Sequence, residues 1–220
     1  MSINNVRYST KRLMDPMTER TVKRTRGRPR QFDEEEAIAL AGNVFWINGF
    51  SATSLDDLSA AMNMNRPSIY RAFGDKEALY RRALAQFAAQ MESAMKMTLF
   101  AEVDVHKALT GFYREALSVY VSGDKPKGCL VMSTAVSAAV SHPEVQEDLL
   151  AVIQKIDRGI ETRLKEAVRA EQLSAEFDTA ERATLAQSIL HSLSLRARAG
   201  ESKARLNKML VSGVGITLGS

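Results

Sequence analysis

The chain has 220 residues, of which 45% are apolar, with a formal net charge of +4 and one cysteine. This apolar content supports a buried core and excludes disorder throughout, and a single cysteine excludes an intrachain disulfide. The longest mostly apolar run, 130–140, is too short to cross a bilayer, and the basic amino terminus lacks an apolar signal core. We therefore expect a cytoplasmic protein without an export signal or membrane anchor.

The charge is concentrated at one end of the chain. Residues 1–31 contain nine Lys or Arg and two acidic residues, a net charge of +7 that leaves −3 for the remainder. A basic arm on a slightly acidic body indicates a polyanionic partner. Within this flexible arm, Arg26, Arg28 and Arg30 belong to an Arg-Gly-Arg-Pro-Arg run that resembles an AT-hook, which inserts into the minor groove of A·T-rich DNA. Loose attraction to phosphates and a passive solvated leader are the alternatives.

Helical spacing dominates the rest of the chain and no strand alternation stands out, which predicts an all-α fold. Asp33 and Glu36 begin the first helix, which ends at Asn48-Gly49. Its predicted buried stripe is Ala37, Leu40, Ala41, Val44 and Phe45.

A helix-turn-helix is predicted over 53–79. Ser54 caps its first helix, in which Leu55, Leu58, Ala61 and Met62 are expected to be core. The turn falls at 63–65, and Asn65 then caps a second helix that begins with Arg66 and Pro67. The second helix is the predicted DNA reader.

Four short motifs occur in this region, and their combination is specific: Gly49-Phe50, Thr53-Ser54, Ile69-Tyr70-x-x-Phe73 and Asp75-Lys76-Glu77-x-Leu79. The stretch that contains them resembles the amino-terminal domain of TetR/AcrR-type bacterial transcriptional regulators. The resemblance implies a helix-turn-helix DNA-binding domain over 32–78 and a helical ligand-binding and dimerisation domain over 79–210. It further implies double-stranded DNA, a second copy of the chain and a small-molecule effector as partners, with no cofactor.

The same resemblance implies roles for individual residues in the DNA-binding domain. Thr53, Tyr70 and Lys76 match positions that contact phosphates, and Ser54 lies at the same helix start. Arg66, Pro67, Ser68 and Arg71 match positions that face base edges, and an Arg there is able to bind guanine with two hydrogen bonds.

The body is predicted to contain a long helix from Asp75 to about residue 100, which joins the reader to the sensor. Further helices are expected up to 122, over 129–141, 144–172 and 178–199, and from 201 to about 210, with a frayed tail over 211–220. The two long segments form a predicted dimer interface, because small and apolar residues recur at heptad-like intervals along the second; an intramolecular core is the alternative. The recurring residues are Ala183, Ala186, Leu190, Leu193 and Ala197.

Adaptable side chains in the body form a candidate ligand pocket. They are Met91, Met95, Phe112, Tyr113, Tyr120 and Met132. Cys129 follows a basic turn at a helix start, where a thiolate would be favoured, so it is a candidate redox or electrophile sensor, although free cysteines are often plain core. The sequence contains no catalytic or metal-binding motif. We therefore predict a ligand-responsive dimeric repressor rather than an enzyme; an architectural DNA-binding protein is the other class.

Overall fold

A computed structural model describes residues 32–123 and 126–219 of the chain. The basic arm, with Arg26, Arg28 and Arg30, lies outside the described residues. The described part is all-α, as predicted, and none of its helices is long and apolar enough to span a membrane. Its helices are α1 Glu34–Asn48, α2 Leu55–Met62, α3 Arg66–Phe73, α4 Lys76–Thr98, α5 Val105–Tyr120, a π-helical segment Val131–Ala135, α6 Val136–Ala138, α7 Pro143–Arg169, α8 Thr179–Arg198 and α9 Lys203–Leu218.

Side-chain caps determine where the first four helices begin. Asp33 accepts hydrogen bonds from two backbone N–H groups of α1, and Asn65 accepts one from Ser68. Ser54 and Asp57 form a reciprocal capping box at the start of α2. Between α2 and α3, Asn63 takes the left-handed conformation with φ of 49°, which an asparagine tolerates at little cost. These local interactions confirm the predicted helix-turn-helix.

The predicted core of the first two helices is partly wrong. Leu40 is 40% exposed, because α1 instead presents small residues to α4. A Cβ added to Gly42 would lie 3.4 Å from the Cβ of Ala83, so this face approaches α4 closely. In α2, Leu55 and Ala61 are only half-buried, whereas Met64, in the turn, is buried.

We call α1, α2, α3 and the first turns of α4 the reading unit, and the helices from α5 to α9 the body. Helix α4 joins the two and crosses the predicted domain boundary at 78/79. Its buried side chains run along its whole length and contact α1 near its start and α5 and α7 further on. They are Leu79, Tyr80, Ala83, Leu84, Phe87, Met91 and Met95. From Asp33 onward the chain therefore forms one compact unit.

The predicted helix over 129–141 is present in the structure, but it is shorter and partly π-helical. It begins as the π-helical segment and continues as only one short α-helical turn, α6, before a turn leads into α7. π-Helical turns inside helices are rare and often occur at functional sites.

The predicted frayed tail over 211–220 is wrong, because α9 continues to Leu218 and buries Gly213, Val214 and Thr217. The glycine allows close packing: a Cβ at Gly213 would lie 2.7 Å from Cγ2 of Ile189 on α8. Arg182 also donates a hydrogen bond to the carbonyl oxygen of Ile216. Gly213 therefore allows α8 and α9 to pack closely instead of loosening the end of the chain.

The residues predicted to form the dimer interface are also buried within the single chain. Ala183, Ala186, Leu190, Leu193 and Ala197 are each at most 2% exposed in the single chain. A residue that the monomer already buries has no surface to offer a second copy. The heptad-like spacing marks the intramolecular core, which was the alternative interpretation.

We expect Gly213→Ala to destabilise the protein by about 1–2 kcal/mol, because overpacking costs about 1–3 kcal/mol and better helix propensity offsets roughly 0.5–1 kcal/mol. Thermal unfolding measures the change. Arg114→Ala, on the exposed face of α5, is the control and should change stability by no more than about 0.5 kcal/mol. A Gly213→Ala protein more stable than the parent would contradict the close approach of α8 and α9.

Candidate DNA interface and effector cavity

Helix α3 presents most of the predicted reading residues on one surface. Ile69 and Phe73 are buried, which anchors the inner face of the helix. The opposite face exposes Arg66, Pro67, Tyr70 and Arg71, with Ser68 half-buried beside them. Tyr70 is 49% exposed, so its hydroxyl is accessible to a phosphate. The arrangement is that of a recognition helix in a helix-turn-helix.

Arg66 is held by a carboxylate on the neighbouring helix. Its Nε donates to Oδ1 of Asp56 at 2.8 Å, and its Nη2 donates to Oδ2 at 2.5 Å. This hydrogen bonding raises the pKa of the Arg66 guanidinium. Asp56 belongs to the first turn of α2, so the contact ties the two helices of the motif together at the reading surface.

Three residues predicted at the DNA backbone have partners inside the protein. The Thr53 side chain is 1% exposed, and its hydroxyl donates to the carbonyl oxygen of Gly49 at 2.7 Å. The Ser54 hydroxyl belongs to the capping box of α2. Lys76 donates from Nζ to the carbonyl oxygens of Phe50 and Thr53, at 3.1 and 3.0 Å, which leaves one of its three N–H groups for a phosphate.

A small cavity lies between α4, α5, the π-helical segment, α7 and α8. Its volume of about 20 Å³ has room for one water molecule. Three of the six predicted pocket residues line it, namely Met91, Tyr120 and Met132, and so does the candidate sensor Cys129. The other lining residues are Val131, Val152, Ile153, Ile156, Gln187, Leu190 and His191. Sequence reasoning missed Gln187 and His191, which face inward from α8 without any motif to mark them.

The other predicted pocket residues lie outside this cavity. Phe112 lines a groove of about 230 Å³ between α4 and α5, which shares Met91 with the cavity. Tyr113 is buried and donates from its hydroxyl to the carbonyl oxygen of Ala186 at 2.7 Å. Met95 packs where Gly159 leaves space for its Cε. Tyr113 and Met95 therefore serve the core.

The environment of Cys129 opposes the thiolate that the basic turn suggested. Burial raises the pKa of its thiol from 9.0 to about 11, although hydrogen bonds from the backbone N–H groups of Met132 and Val131 act in the opposite direction. The thiol is therefore protonated at neutral pH. Burial disfavours the charged form of His191 as well, which lowers its pKa, so the imidazole in the same cavity is neutral.

The backbone next to Cys129 connects the cavity to the reading unit. The carbonyl oxygen of Lys127 accepts hydrogen bonds from Nε1 of Trp46 in α1, Nη1 of Arg198 in α8 and the hydroxyl of Ser133, at 3.3, 3.0 and 3.1 Å. Seven residues further on, the hydroxyls of Thr134 and Tyr80 are 2.6 Å apart. We call residues 127–134 the linking segment. No sequence motif predicted the role of the linking segment.

Two family descriptions match the chain in consecutive regions. Residues 37–83 match the bacterial regulatory proteins of the tetR family, and residues 105–211 match the tetracyclin repressor-like carboxy-terminal domain. A solved TetR family transcriptional regulator, CifR, is 30% identical with a TM-score of 0.79, over 85% of this chain and 98% of CifR. The chain belongs to the TetR family. Membership confirms the predicted class of transcription regulator rather than enzyme.

Named TetR relatives extend the comparison. The CifR structure is of a cysteine mutant in complex with 26-bp double-strand operator DNA. The transcriptional repressor ComR of Escherichia coli is 27% identical over 198 residues, which cover 90% of this chain and 93% of ComR. The transcriptional repressor BdcR of the same organism is 32% identical over 109 residues, which cover 50% of this chain and 55% of BdcR.

We expect Cys129 to resist alkylation in the folded protein. At pH 7 a thiol with a pKa of about 11 holds about one hundredth of the thiolate of a thiol with the ordinary value of 9.0, and burial blocks access as well. Iodoacetamide labelling followed by intact mass measures the rate, because the chain has no other cysteine. The same protein in guanidinium is the control. Equal labelling rates in the two states would show that the thiol is exposed and reactive.

Proposed function

We propose that this chain is a transcriptional repressor that binds an inverted-repeat operator as a dimer and releases it when a small molecule enters the body. The observation that carries the proposal is the linking segment, which lines the cavity and contacts the reading unit. The names of ComR and BdcR and the operator complex of CifR support repression through DNA binding. In this proposal the basic arm over 1–31 adds phosphate attraction and minor-groove contacts.

The dimer surface in this proposal is the outer face of α8 and α9. The inner face of α8 is occupied by the core of its own chain. On the outer face, Leu195, Val211 and Ile216 are 71%, 58% and 58% exposed. Large apolar side chains that two packed helices leave exposed favour association with a second copy.

Effector entry would reach the reading unit through the linking segment. Cys129, Val131 and Met132 line the cavity, while the Lys127 carbonyl and the Thr134 hydroxyl contact Trp46 and Tyr80. A ligand that displaces the cavity wall would therefore shift two contacts with the reading unit at once. Because a dimer needs both half-sites at a fixed spacing, a small shift in each reader lowers operator affinity.

The cavity wall indicates the chemistry of the effector. Among the residues that the structure describes, no Asp, Glu, Lys or Arg lines this cavity, and burial keeps the His191 imidazole neutral. An uncharged molecule with a mostly apolar surface and one or two hydrogen-bonding groups fits these walls. Since the cavity has room for only one water molecule, the effector must displace side chains, and the flexible Met91 and Met132 are suited to moving.

Operator selection tests the proposal. Wild-type protein should protect a symmetric inverted repeat. Arg71→Ala should lose discrimination at particular base pairs, by about 1–3 kcal/mol for a bidentate contact, whereas Tyr70→Phe should weaken all sequences alike because it removes a phosphate donor. Footprinting and affinity measurement over single-base operator variants give the result. A monomer that protects an asymmetric site would refute the dimeric repressor.

Trp46→Phe tests the route between cavity and reader. The substitution keeps the ring contact with Phe87, whose centroid is 5.2 Å away, and removes the hydrogen bond to Lys127. Compounds from a library of uncharged metabolites that raise the thermal midpoint of both proteins should release less operator from the variant. By linkage, a compound that weakens operator binding tenfold must itself bind the protein–operator complex tenfold more weakly than it binds the free protein. Equal release from wild type and variant would exclude this hydrogen bond from the coupling.

A further inference from the structure

We propose that Asp56 is a positioning residue for base recognition: it holds Arg66 from the side, so that the outer edge of the guanidinium reads a guanine in the major groove. This inference rests on the proposed DNA-binding function of α3. It names a specificity-determining residue on α2 and one base of the operator half-site.

The pattern of donors on Arg66 carries the inference. A guanidinium has five N–H donors, and Asp56 takes those of Nε and one of Nη2. Both N–H groups of Nη1 and the second of Nη2 remain. Nη1 and Nη2 together form the end-on fork that matches the O6 and N7 acceptors of guanine. The side-on contact with Asp56 and an end-on contact with guanine are therefore compatible in one side chain.

Asp56 differs in its contacts from the adjacent acid on the same helix turn. Asp57 is used by the capping box, where it accepts from the backbone and hydroxyl of Ser54. Asp56 takes no part in that cap, and both of its carboxylate oxygens face Arg66. Two residues of one helix turn thus have separate tasks, one in starting α2 and one in orienting the reader.

Exposure argues against a mainly structural role for the pair. The side chains of Arg66 and Asp56 are 53% and 73% exposed, and an ion pair so open to water contributes little to folding. A carboxylate beside a DNA-reading residue also repels phosphates. Asp56 restricts Arg66 to one orientation, so the guanidinium loses less side-chain freedom when it binds guanine. This gain in base recognition outweighs the repulsion of phosphates.

Selection of bound duplexes from a random library, with full-length proteins, tests the inference. Arg66→Ala should remove a guanine preference from each half-site. Asp56→Ala should weaken that same preference without removing it, by roughly 2- to 12-fold where the bidentate contact provides roughly 5- to 150-fold, and leave the positions read by Arg71 unchanged. The double variant should match Arg66→Ala alone, because Asp56 acts through Arg66. The thermal midpoint of Asp56→Ala should stay close to that of wild type.

Glu36→Ala is the matched control, since it removes one exposed negative charge from the first turn of α1 in the same reading unit. It should leave every base preference unchanged. If Asp56→Ala instead tightens all sequences equally and keeps the guanine preference, Asp56 is only a repelling charge and the inference is wrong.

The outcomes separate this inference from the function it rests on. If wild type selects an operator but Arg66→Ala leaves the profile intact, the positioning role of Asp56 fails and the repressor proposal stands. If wild type selects no sequence, both fail.

Discussion

The carbonyl oxygen of Lys127 fixes the reading unit, the body and the cavity wall at one point. A carbonyl oxygen has two lone pairs, and this one is shared by donors from Trp46, Arg198 and Ser133. The next residue, Gly128, has φ of 69°, and a Cβ there would lie 2.8 Å from the carbonyl oxygen of Ser194. The backbone therefore approaches α8 too closely for a side chain at this position. Because the linking segment also hydrogen-bonds α1 and α8, a displacement at the neighbouring Cys129 would be transmitted to both helices.

This close contact also explains the composition of α8. Ser194 is buried, and its hydroxyl accepts a hydrogen bond from the backbone N–H of Cys129 at 2.8 Å. Small residues along the same inner face, such as Ala186 and Ala197, let neighbouring elements approach equally closely. The carbonyl oxygen of Ala186 also accepts a hydrogen bond from the buried hydroxyl of Tyr113. Small residues in a heptad-like pattern thus indicate close approach, but they do not say whether the partner belongs to the same chain.

The sequence predicted what short-range interactions determine. Asp33, Ser54, Asn65 and Asp75 begin their helices through hydrogen bonds to backbone only two or three residues away, and each cap is visible in the local sequence. Contacts distant in sequence decide the features that were missed. The exposure of Leu40 depends on how α1 meets α4, and the helical tail depends on Ile189. The cavity residues Gln187 and His191 could be assigned only once α8 had been placed against α7 and the linking segment.

The first turns of α4 bind both the reading unit and α7, and these contacts determine how the reader can move. Lys76 binds the loop before α2, while Glu77 hydrogen-bonds His142 and Arg81 pairs with Asp148, both of them at or near the start of α7. Tyr80, on the same stretch, packs against Phe45 and Phe50 with ring centroids 4.9 Å away in each case. The start of α4 and the core of the reading unit are therefore one rigid element. Its other ties run to α7, α8 and the linking segment. In the proposed repressor, a change in the body would therefore turn the whole reader, preserve the geometry of α3 and alter the half-site spacing.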